Sequence, residues 1–152
     1  MHSQTQVPLT VIPLREKDRI DAVIRLCDPA FPNPISCRDN YPSMLDKIHT
    51  HGIFFAACTA EPVGYAAMYA NDQTTRTAFM TLMAVKPGCQ GMGIGKQLME
   101  RCFAAAKENG MVRVRLEVRK NNPRAISLYE RYGFLADGQE TDASVFMTKS
   151  LV

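Results

Sequence analysis

The sequence lacks the features that mark membrane-spanning and secreted chains. No apolar run approaches the roughly 18 residues that a membrane-spanning helix needs, and Met1–Thr10 has no apolar core of the kind that signal peptides carry. The 5 cysteines include no CxxC pair, and their number is odd. We therefore expect no membrane partner, and free thiols in a reducing cytoplasm.

Two further absences narrow the class of ligand. The basic residues are spread along the chain and leave a formal net charge of only +3, whereas nucleic-acid binding usually needs a concentrated basic face. His49 and His51 form an HxH pair without further ligands, which is weak support for a metal site. We expect no nucleic acid and no metal, and a mildly basic chain that is compatible with an anionic ligand.

Length and composition favour one domain, which we place at 1–152. Hydrophobic residues make up 46% and charged residues 22% of the chain, which is ordinary for a folded domain with one core. No internal repeat, low-complexity tract or linker divides the chain. Both a monomer and a homodimer are compatible with the sequence.

The spacing of apolar residues predicts a mixed order of strands and helices. Alternating or short apolar runs predict six strands, at 9–12, 53–59, 63–71, 78–85, 112–119 and 145–151. Helical spacing and start signals predict four helices, beginning near Asp18, Ser43, Ile94 and Pro123. Antiparallel strands come first, and a strand–helix–strand–helix core follows.

The most informative segment is a glycine-rich turn between a strand and a helix, Gln90-Gly91-Met92-Gly93-Ile94-Gly95-Lys96. A helix N-terminus offers unpaired N–H groups and a positive dipole end, and glycines let the backbone approach a ligand closely. The turn therefore predicts a phosphate site, with a plain strand-to-helix connection as the alternative. Gln90 and Gln97 exclude a Walker A loop, and Lys96 and Leu98 exclude a dinucleotide fingerprint.

The segment from about Phe79 to Phe134 resembles the GNAT acetyltransferase superfamily in two motifs that occur in the right order. Gln90 through Gly95 is similar to the Q/R-x-x-G-x-G/A pyrophosphate signature of that family. The second signature is matched by Leu116-Glu117-Val118, Asn122, Ala125, Leu128-Tyr129 and Gly133-Phe134. The resemblance implies an α/β (α+β) fold in one domain, whose mixed central sheet of about six to seven strands is flanked by about four helices.

The resemblance also implies acetyl-coenzyme A as cosubstrate and assigns residues to it. Backbone amides along the turn would hold the pyrophosphate, and they belong to Gln90, Gly91, Met92, Gly93, Ile94, Gly95 and Lys96. Met83, Ala84 and Val85 would contact the pantetheine arm, which pairs with their strand like an added strand. One of the strand amides would also donate to the thioester oxygen. Asn122 would lie near the cofactor, and it is equally a helix N-cap; both roles can hold at once.

The implied reaction is direct attack of a neutral amine on the thioester, with Tyr129 as the general acid. A phenol near pKa 10 and a thiol near pKa 8.5 differ by about 1.5 units, so the proton transfer costs roughly 2 kcal/mol at reference values. A core tyrosine on an amphipathic helix is the alternative interpretation of this side chain.

Glu117 is the candidate general base. The predicted strand at Phe79–Met83 has no carboxylate, although many family members place a glutamate there. Glu117 lies in an L-E-V segment that is similar to the one in ribosomal-protein alanine acetyltransferases. Arg113, Arg115 and Arg119 share its side of the strand, so an ion-paired surface glutamate is an equal alternative, and a water chain is a third.

The acceptor is expected to be a small-molecule primary amine bound by 28–41 and about 137–144. These segments carry aromatic residues and carboxylates that suit a cationic amine and are also common in exposed loops: Phe31, Asp39, Tyr41, Asp137, Glu140 and Asp142. A protein N-terminus is the alternative acceptor. A non-catalytic acyl-CoA-binding regulatory module is the rival from another class, and a nucleotide-binding protein is a weaker third hypothesis.

Overall fold

The structure is a computed structural model, and it describes residues 8–152. This part of the chain contains seven strands and four α-helices, with two short 3-10 turns at Asp28–Ala30 and Ile35–Cys37. The elements are β1 (Thr10–Pro13), α1 (Lys17–Cys27), α2 (Tyr41–His51), β2 (Ile53–Cys58), β3 (Pro62–Tyr69), β4 (Thr77–Val85), α3 (Ile94–Glu108), β5 (Arg113–Arg119), α4 (Pro123–Arg131), β6 (Leu135–Glu140) and β7 (Ser144–Ser150).

All seven strands form one mixed sheet in the order β1-β2-β3-β4-β5-β7-β6. Only β4 and β5 are parallel, and α3 makes the crossover between them. One apolar cluster joins α3 and α4 to one face of the sheet, and a second cluster joins α1 and α2 to the other face. The predicted α/β (α+β) fold, with six to seven strands and about four helices, is therefore confirmed.

The strand β6 is the element that the apolar pattern did not predict. All six of its residues are exposed, and its sequence Leu-Ala-Asp-Gly-Gln-Glu carries no apolar alternation. It lies at the edge of the sheet and pairs only with β7. The predicted acceptor loop at 137–144 is consequently not a loop throughout, because 137–140 belong to this strand.

The helix α4 is fixed at both ends by local interactions that the sequence indicates. At its start, Asn122 accepts a hydrogen bond from the Ala125 N–H at 3.2 Å, as an N-cap residue does. At its end, Gly133 has a φ of +96°, and the Phe134 N–H donates to the Tyr129 carbonyl at 3.0 Å. This closure folds the buried Phe134 under the helix, which holds the preceding turn against the sheet.

Two further findings concern membrane-spanning helices and metal sites, neither of which the sequence predicted. No helix within residues 8–152 has the length and apolar character to cross a membrane. The same residues contain no group of three or more His, Cys, Asp or Glu side chains that could hold a metal ion. His49 and His51 are both exposed at the end of α2.

Candidate functional site

The glycine-rich turn connects β4 to α3 in a conformation that requires glycine. Gly91 and Gly93 have φ values of +84° and +76°, and Gly93 is the N-cap of α3. A Cβ built on either residue would meet nothing within 4 Å. Backbone conformation, not crowding, therefore requires glycine at both positions, and the space above the turn is open to a ligand.

The first turn of α3 is left without the partners that helix starts usually have. Gly93 supplies no side-chain cap, and no acidic residue lies in the first turn. In α4, by contrast, the Asn122 side chain accepts a hydrogen bond from one of the corresponding N–H groups, that of Ala125. The N–H groups and positive dipole end of α3 therefore face the open space above the turn, which is the arrangement that binds phosphate groups.

The strands β4 and β5 separate just before this turn. Their parallel pairing extends from Thr77↔Arg113 to Met80↔Leu116 and stops there. At the same point Thr81 has no register partner on β3, because Met68 pairs with Met80 and Ala67 with Leu82. This irregularity is a β-bulge, which bends a strand away from its neighbour. Among residues 8–152, no strand pairs with the β5-facing edge of β4 beyond Met80.

A cavity of about 860 Å³ lies beside the unpaired part of β4, between that strand, the turn and α4. Eleven of the thirteen residues predicted for the site line it: Met83, Ala84, Val85, Gln90, Gly91, Gly93, Ile94, Gly95, Lys96, Asn122 and Tyr129. Met92 does not line it and is 54% exposed, so any role for this residue would use its main chain. The structure thus brings together in one cavity residues that are up to 46 positions apart in sequence.

The wall of this cavity carries positive charge and no negative charge. Lys96, Arg124 and Arg131 line it, and no Asp or Glu does. Asn122 presents its amide group to the cavity and also caps α4 through its oxygen, so the two alternatives for this residue are compatible. The cavity is therefore complementary to a ligand with several negative charges.

Tyr129 lies on the α4 side of the cavity and is half-buried. Its ring packs edge-on against Phe134, with centroids 5.9 Å apart and planes at 68°. Burial raises the pKa of the Tyr129 phenol above its ordinary value, since the phenolate loses hydration that nothing nearby replaces. The phenol is therefore a group that stays protonated at neutral pH while it faces the cavity.

Glu117 lies outside the lining of this cavity, on the opposite face of β5. Leu116 and Val118 point into the core on the α3 side, so Glu117 points to the other side and is exposed. Its cross-strand neighbour on β7 is Phe146. The gap between β4 and β5 opens beside Glu117, because Leu116 is the last residue of β5 that pairs with β4.

The arginines that share this face do not form ion pairs with Glu117. Arg113 donates to the Thr75 carbonyl at 2.8 Å and to the Thr77 hydroxyl at 3.1 Å. Arg115 forms a salt bridge with Asp137 at 2.8 Å and lies over the Phe146 ring. Within residues 8–152, no salt bridge involves Glu117 or Arg119.

Most of the polar groups that were predicted to face the acceptor have partners within the protein. Asp137 is held by Arg115 and by the Thr148 hydroxyl, and these contacts lower the pKa of its carboxyl, with the Arg115 hydrogen bond the largest cause. Glu140 pairs with Lys120 at 2.8 Å. Tyr41 is buried and donates its hydroxyl to Asp21 at 2.5 Å. Of the six residues that were predicted to contact the acceptor, Phe31 is the one that lines the cavity.

Several residues of the cavity were not found by sequence reasoning, and most of them lie on α4. Arg124, Leu128 and Arg131 form one stripe at spacings of four and three, and Ala125, Tyr129 and Tyr132 form the adjacent stripe. Once Tyr129 is assigned to the site, its neighbours at those spacings follow from the helical repeat. Ala30 and Cys89 also line the cavity, and only the tertiary structure brings them there; Phe31, which was predicted to contact the acceptor, lines it as well.

Comparison with known proteins identifies the family. The family model described as the acetyltransferase (GNAT) family matches residues 20–134. The chain is 32% identical over 93 residues to a mycothiol acetyltransferase from Beutenbergia cavernae, an alignment that covers 61% of this chain and 29% of that protein. It is 42% identical over 52 residues to the [ribosomal protein bS18]-alanine N-acetyltransferase of Salmonella typhimurium, with 34% of this chain and 35% of that protein covered.

A solved structure shows the same fold over almost the whole chain. The ribosomal-protein-S18-alanine N-acetyltransferase from Escherichia coli superimposes with a TM-score of 0.77 at 21% sequence identity. The match covers 95% of this chain and 94% of that one. Because the family model spans 115 of the 152 residues, and the fold agrees, the chain belongs to the GNAT acetyltransferase family.

Proposed function

We propose that the protein transfers an acetyl group from acetyl-coenzyme A directly to the primary amine of a small molecule. The observation that carries this proposal is the cavity itself. An uncapped helix N-terminus, three cationic side chains and a protonated phenol face one space that no carboxylate enters. A ligand with phosphates at one end and a thioester at the other satisfies all of these groups.

The donor would extend from the turn along the free edge of β4. Its pyrophosphate would accept hydrogen bonds from the amides of 90–96, close to Lys96 and Arg124. Its pantetheine arm would pair with Met83, Ala84 and Val85, whose β5-facing edge has no partner strand within residues 8–152. An extended ligand completes such an edge in the way an added strand does. This path directs the thioester towards the bulge at Thr81, where the two strands separate.

The two proposed proton-transfer groups lie on opposite faces of the sheet, and the gap between β4 and β5 connects those faces. The amine nitrogen would form its bond to the acetyl carbon from the side of Glu117, which takes a proton from the nitrogen. The carbon–sulfur bond would then break, and Tyr129 would protonate the departing thiolate. The raised pKa of Tyr129 keeps the proton available, although it adds to the cost of complete transfer.

Glu117 as the base is supported by its position beside the gap and by its lack of an ion-pair partner among the described residues. It precedes Tyr129 by twelve positions, so one strand and one helix carry both groups. A glutamate bound tightly to arginine would have its pKa lowered and would be a poorer base. A water chain from the gap to solvent is the alternative.

Two acceptor classes have support from the comparisons. One relative is a mycothiol acetyltransferase, whose named product is a small molecule, and another acetylates an alanine of ribosomal protein bS18. These alignments cover only 29% and 35% of the relatives' lengths. We favour the small molecule, and a protein N-terminal amine is the alternative. A non-catalytic acyl-CoA-binding module is the alternative from another class.

An acceptor panel tests the proposal. The panel would hold amino acids, polyamines, amino sugars and N-terminal peptides, with thiol release and product mass as the two readouts. We expect acetylation of at least one small-molecule amine and its loss in Tyr129→Phe. Acetylation of peptides alone would favour the protein N-terminus. Binding of acetyl-coenzyme A without turnover on any amine would instead support the regulatory module.

A further inference from the structure

The cavity contains a second phenol, three positions after Tyr129. Tyr132 is the C-cap residue of α4, lines the same cavity and is half-buried. Among residues 8–152, its hydroxyl has no hydrogen-bond partner. Two tyrosines on one side of a cavity that carries no carboxylate call for separate explanations, because the proposed reaction uses only one general acid.

The Tyr132 hydroxyl approaches Gly95, in the first turn of α3. The hydroxyl oxygen is 3.9 Å from where a Cβ on Gly95 would lie. Gly95 is the second residue of α3, within the uncapped first turn whose N–H groups face the cavity. The same Cβ would lie 3.2 Å from the Met83 methyl group. Because residue 95 has no side chain, the phenol of Tyr132 and the Met83 methyl group both lie close to the α3 backbone at this point.

This location determines the chemistry available to Tyr132. Anything that accepts hydrogen bonds from the first turn of α3 also lies within reach of a donor beside Gly95. Within the lining of the cavity, no carboxylate can take that hydrogen bond in place of a ligand. Burial raises the pKa of Tyr132, Arg131 lowers it and Glu100 raises it, so the group is a phenol donor and not a phenolate at neutral pH.

We propose that the Tyr132 hydroxyl is a binding group for the pyrophosphate of the donor, donating to it beside the amides of the α3 first turn. The two tyrosines then have different tasks. Tyr132 holds the phosphate end of the donor, whereas Tyr129 acts on the sulfur end. This inference rests on the proposed function, since it takes a coenzyme A thioester as the ligand.

The test compares Tyr132→Phe with Tyr129→Phe as matched variants, each of which loses one hydroxyl from the same helix. Calorimetric titration with coenzyme A needs no turnover. We expect Tyr132→Phe to weaken this binding by about tenfold or more, as loss of a hydrogen bond to a charged group does. Dephospho-coenzyme A, which keeps the pyrophosphate, should show the same fold-loss. Tyr129→Phe should bind both ligands within about twofold of the unsubstituted protein.

A truncated donor supplies the second readout. S-acetylpantetheine carries the thioester without the pyrophosphate, so Tyr132→Phe should turn it over at the unsubstituted rate, and Tyr129→Phe should not. Loss of S-acetylpantetheine turnover in Tyr132→Phe would overturn the inference, because the defect would then not depend on the pyrophosphate. Unchanged coenzyme A affinity in Tyr132→Phe would overturn it while the proposed function stands. Failure of the unsubstituted protein to bind coenzyme A would overturn both.

Discussion

At the scale of single residues, the two proposed proton-transfer groups have contrasting surroundings. Tyr129 is half-buried against Phe134 on the face of the sheet that packs α3 and α4, and burial raises the pKa of its phenol. Glu117 is exposed on the other side, beside arginines that bond elsewhere. A buried acid keeps its proton until the thiolate forms, and an exposed base can exchange its proton with water after each turnover.

Removing the Tyr129 hydroxyl should stop turnover while leaving the donor bound. Tyr129→Phe keeps the ring packed on Phe134, so folding and acetyl-coenzyme A affinity should change little. The value of kcat should fall by about 10²–10⁴-fold, because proton donation is lost mainly in the transition state. Steady-state kinetics check this split between kcat and KM.

The pH profile is the control for this prediction. Because burial raises the pKa of Tyr129, the protonated phenol persists to pH values above its ordinary pKa of about 10. An alkaline limb caused by this group should therefore lie above about pH 10 and be absent from Tyr129→Phe. Unchanged turnover in the variant would identify Tyr129 as a core residue only.

Glu117→Gln keeps the shape of the side chain and removes the base. We expect kcat/KM to fall by about 10²–10⁴-fold, with loss or displacement of the acidic limb of the pH profile. The free energy of unfolding should hardly change, because the side chain is exposed and forms no salt bridge within residues 8–152. A decrease of less than about threefold in kcat/KM would contradict the role and favour a water chain.

At the scale of elements, the turn before α3 is proposed to bind phosphate through its backbone, and its sequence suits that role. Two of its glycines, Gly91 and Gly93, have positive φ, as does Gly88 just before the turn. The Gln90 side chain accepts a hydrogen bond from the Gly88 N–H at 3.0 Å, which steadies the turn from within. Lys96 adds charge at the helix start. The element thus combines a fixed shape with open space above it.

Gly93→Asp tests this element by placing a side chain and a negative charge at the proposed phosphate site. Acetyl-coenzyme A should raise the melting temperature of the unsubstituted protein, and the variant should show no such rise. Gly138→Asp is the matched control, since Gly138 also has a positive φ, at +90°, and open space around its Cβ position. Both variants should lose about 1 kcal/mol of unfolding free energy from backbone strain. Only Gly138→Asp should keep the ligand response.

The sequence was sufficient to predict the elements that local chemistry determines. Asn122-Pro123 and Gly133 mark both ends of α4, and the glycine turn marks the start of α3, as the structure confirms. The strand β6 was missed because an exposed edge strand has no apolar alternation to detect. Its existence depends on hydrogen bonds to β7, which lie outside the local sequence.

The sequence predicted site residues that lie within its motifs. It did not predict which side chains from separate segments would contact each other. The eleven predicted residues that line the cavity come from two short segments, 83–85 and 90–96, and from the single positions Asn122 and Tyr129. The partners of Asp137 and Tyr41 depend on side chains 22 and 20 positions away in sequence, so their use as acceptor contacts could not be judged beforehand. The bulge at Thr81 likewise depends on how β4 pairs with β3, and no feature of the local sequence indicates it.

At the scale of the whole molecule, the sheet consists of two parts joined over a short distance. The four antiparallel strands β1–β4 pack α1 and α2, and β5, β7 and β6 form the other part. Within residues 8–152, the strand pairing between the parts consists of four residue pairs, from Thr77↔Arg113 to Met80↔Leu116. Beyond them, the unpaired edge of β4 borders the cavity, whose wall carries three cationic side chains, those of Lys96, Arg124 and Arg131.

Because β4 and β5 pair over only a short distance, the unpaired backbone amides of β4 should report donor binding directly. Those of 82–85 that face the gap should exchange hydrogen with solvent readily in the free protein, because no strand covers that edge. Saturating coenzyme A should slow them, while the amides of 78–80 that already pair with β5 keep their rates. Exchange measured by mass spectrometry or NMR would show this contrast, and equal rates with and without coenzyme A would place the ligand elsewhere. The free protein therefore carries an incomplete sheet, and each catalytic cycle would complete it and open it again.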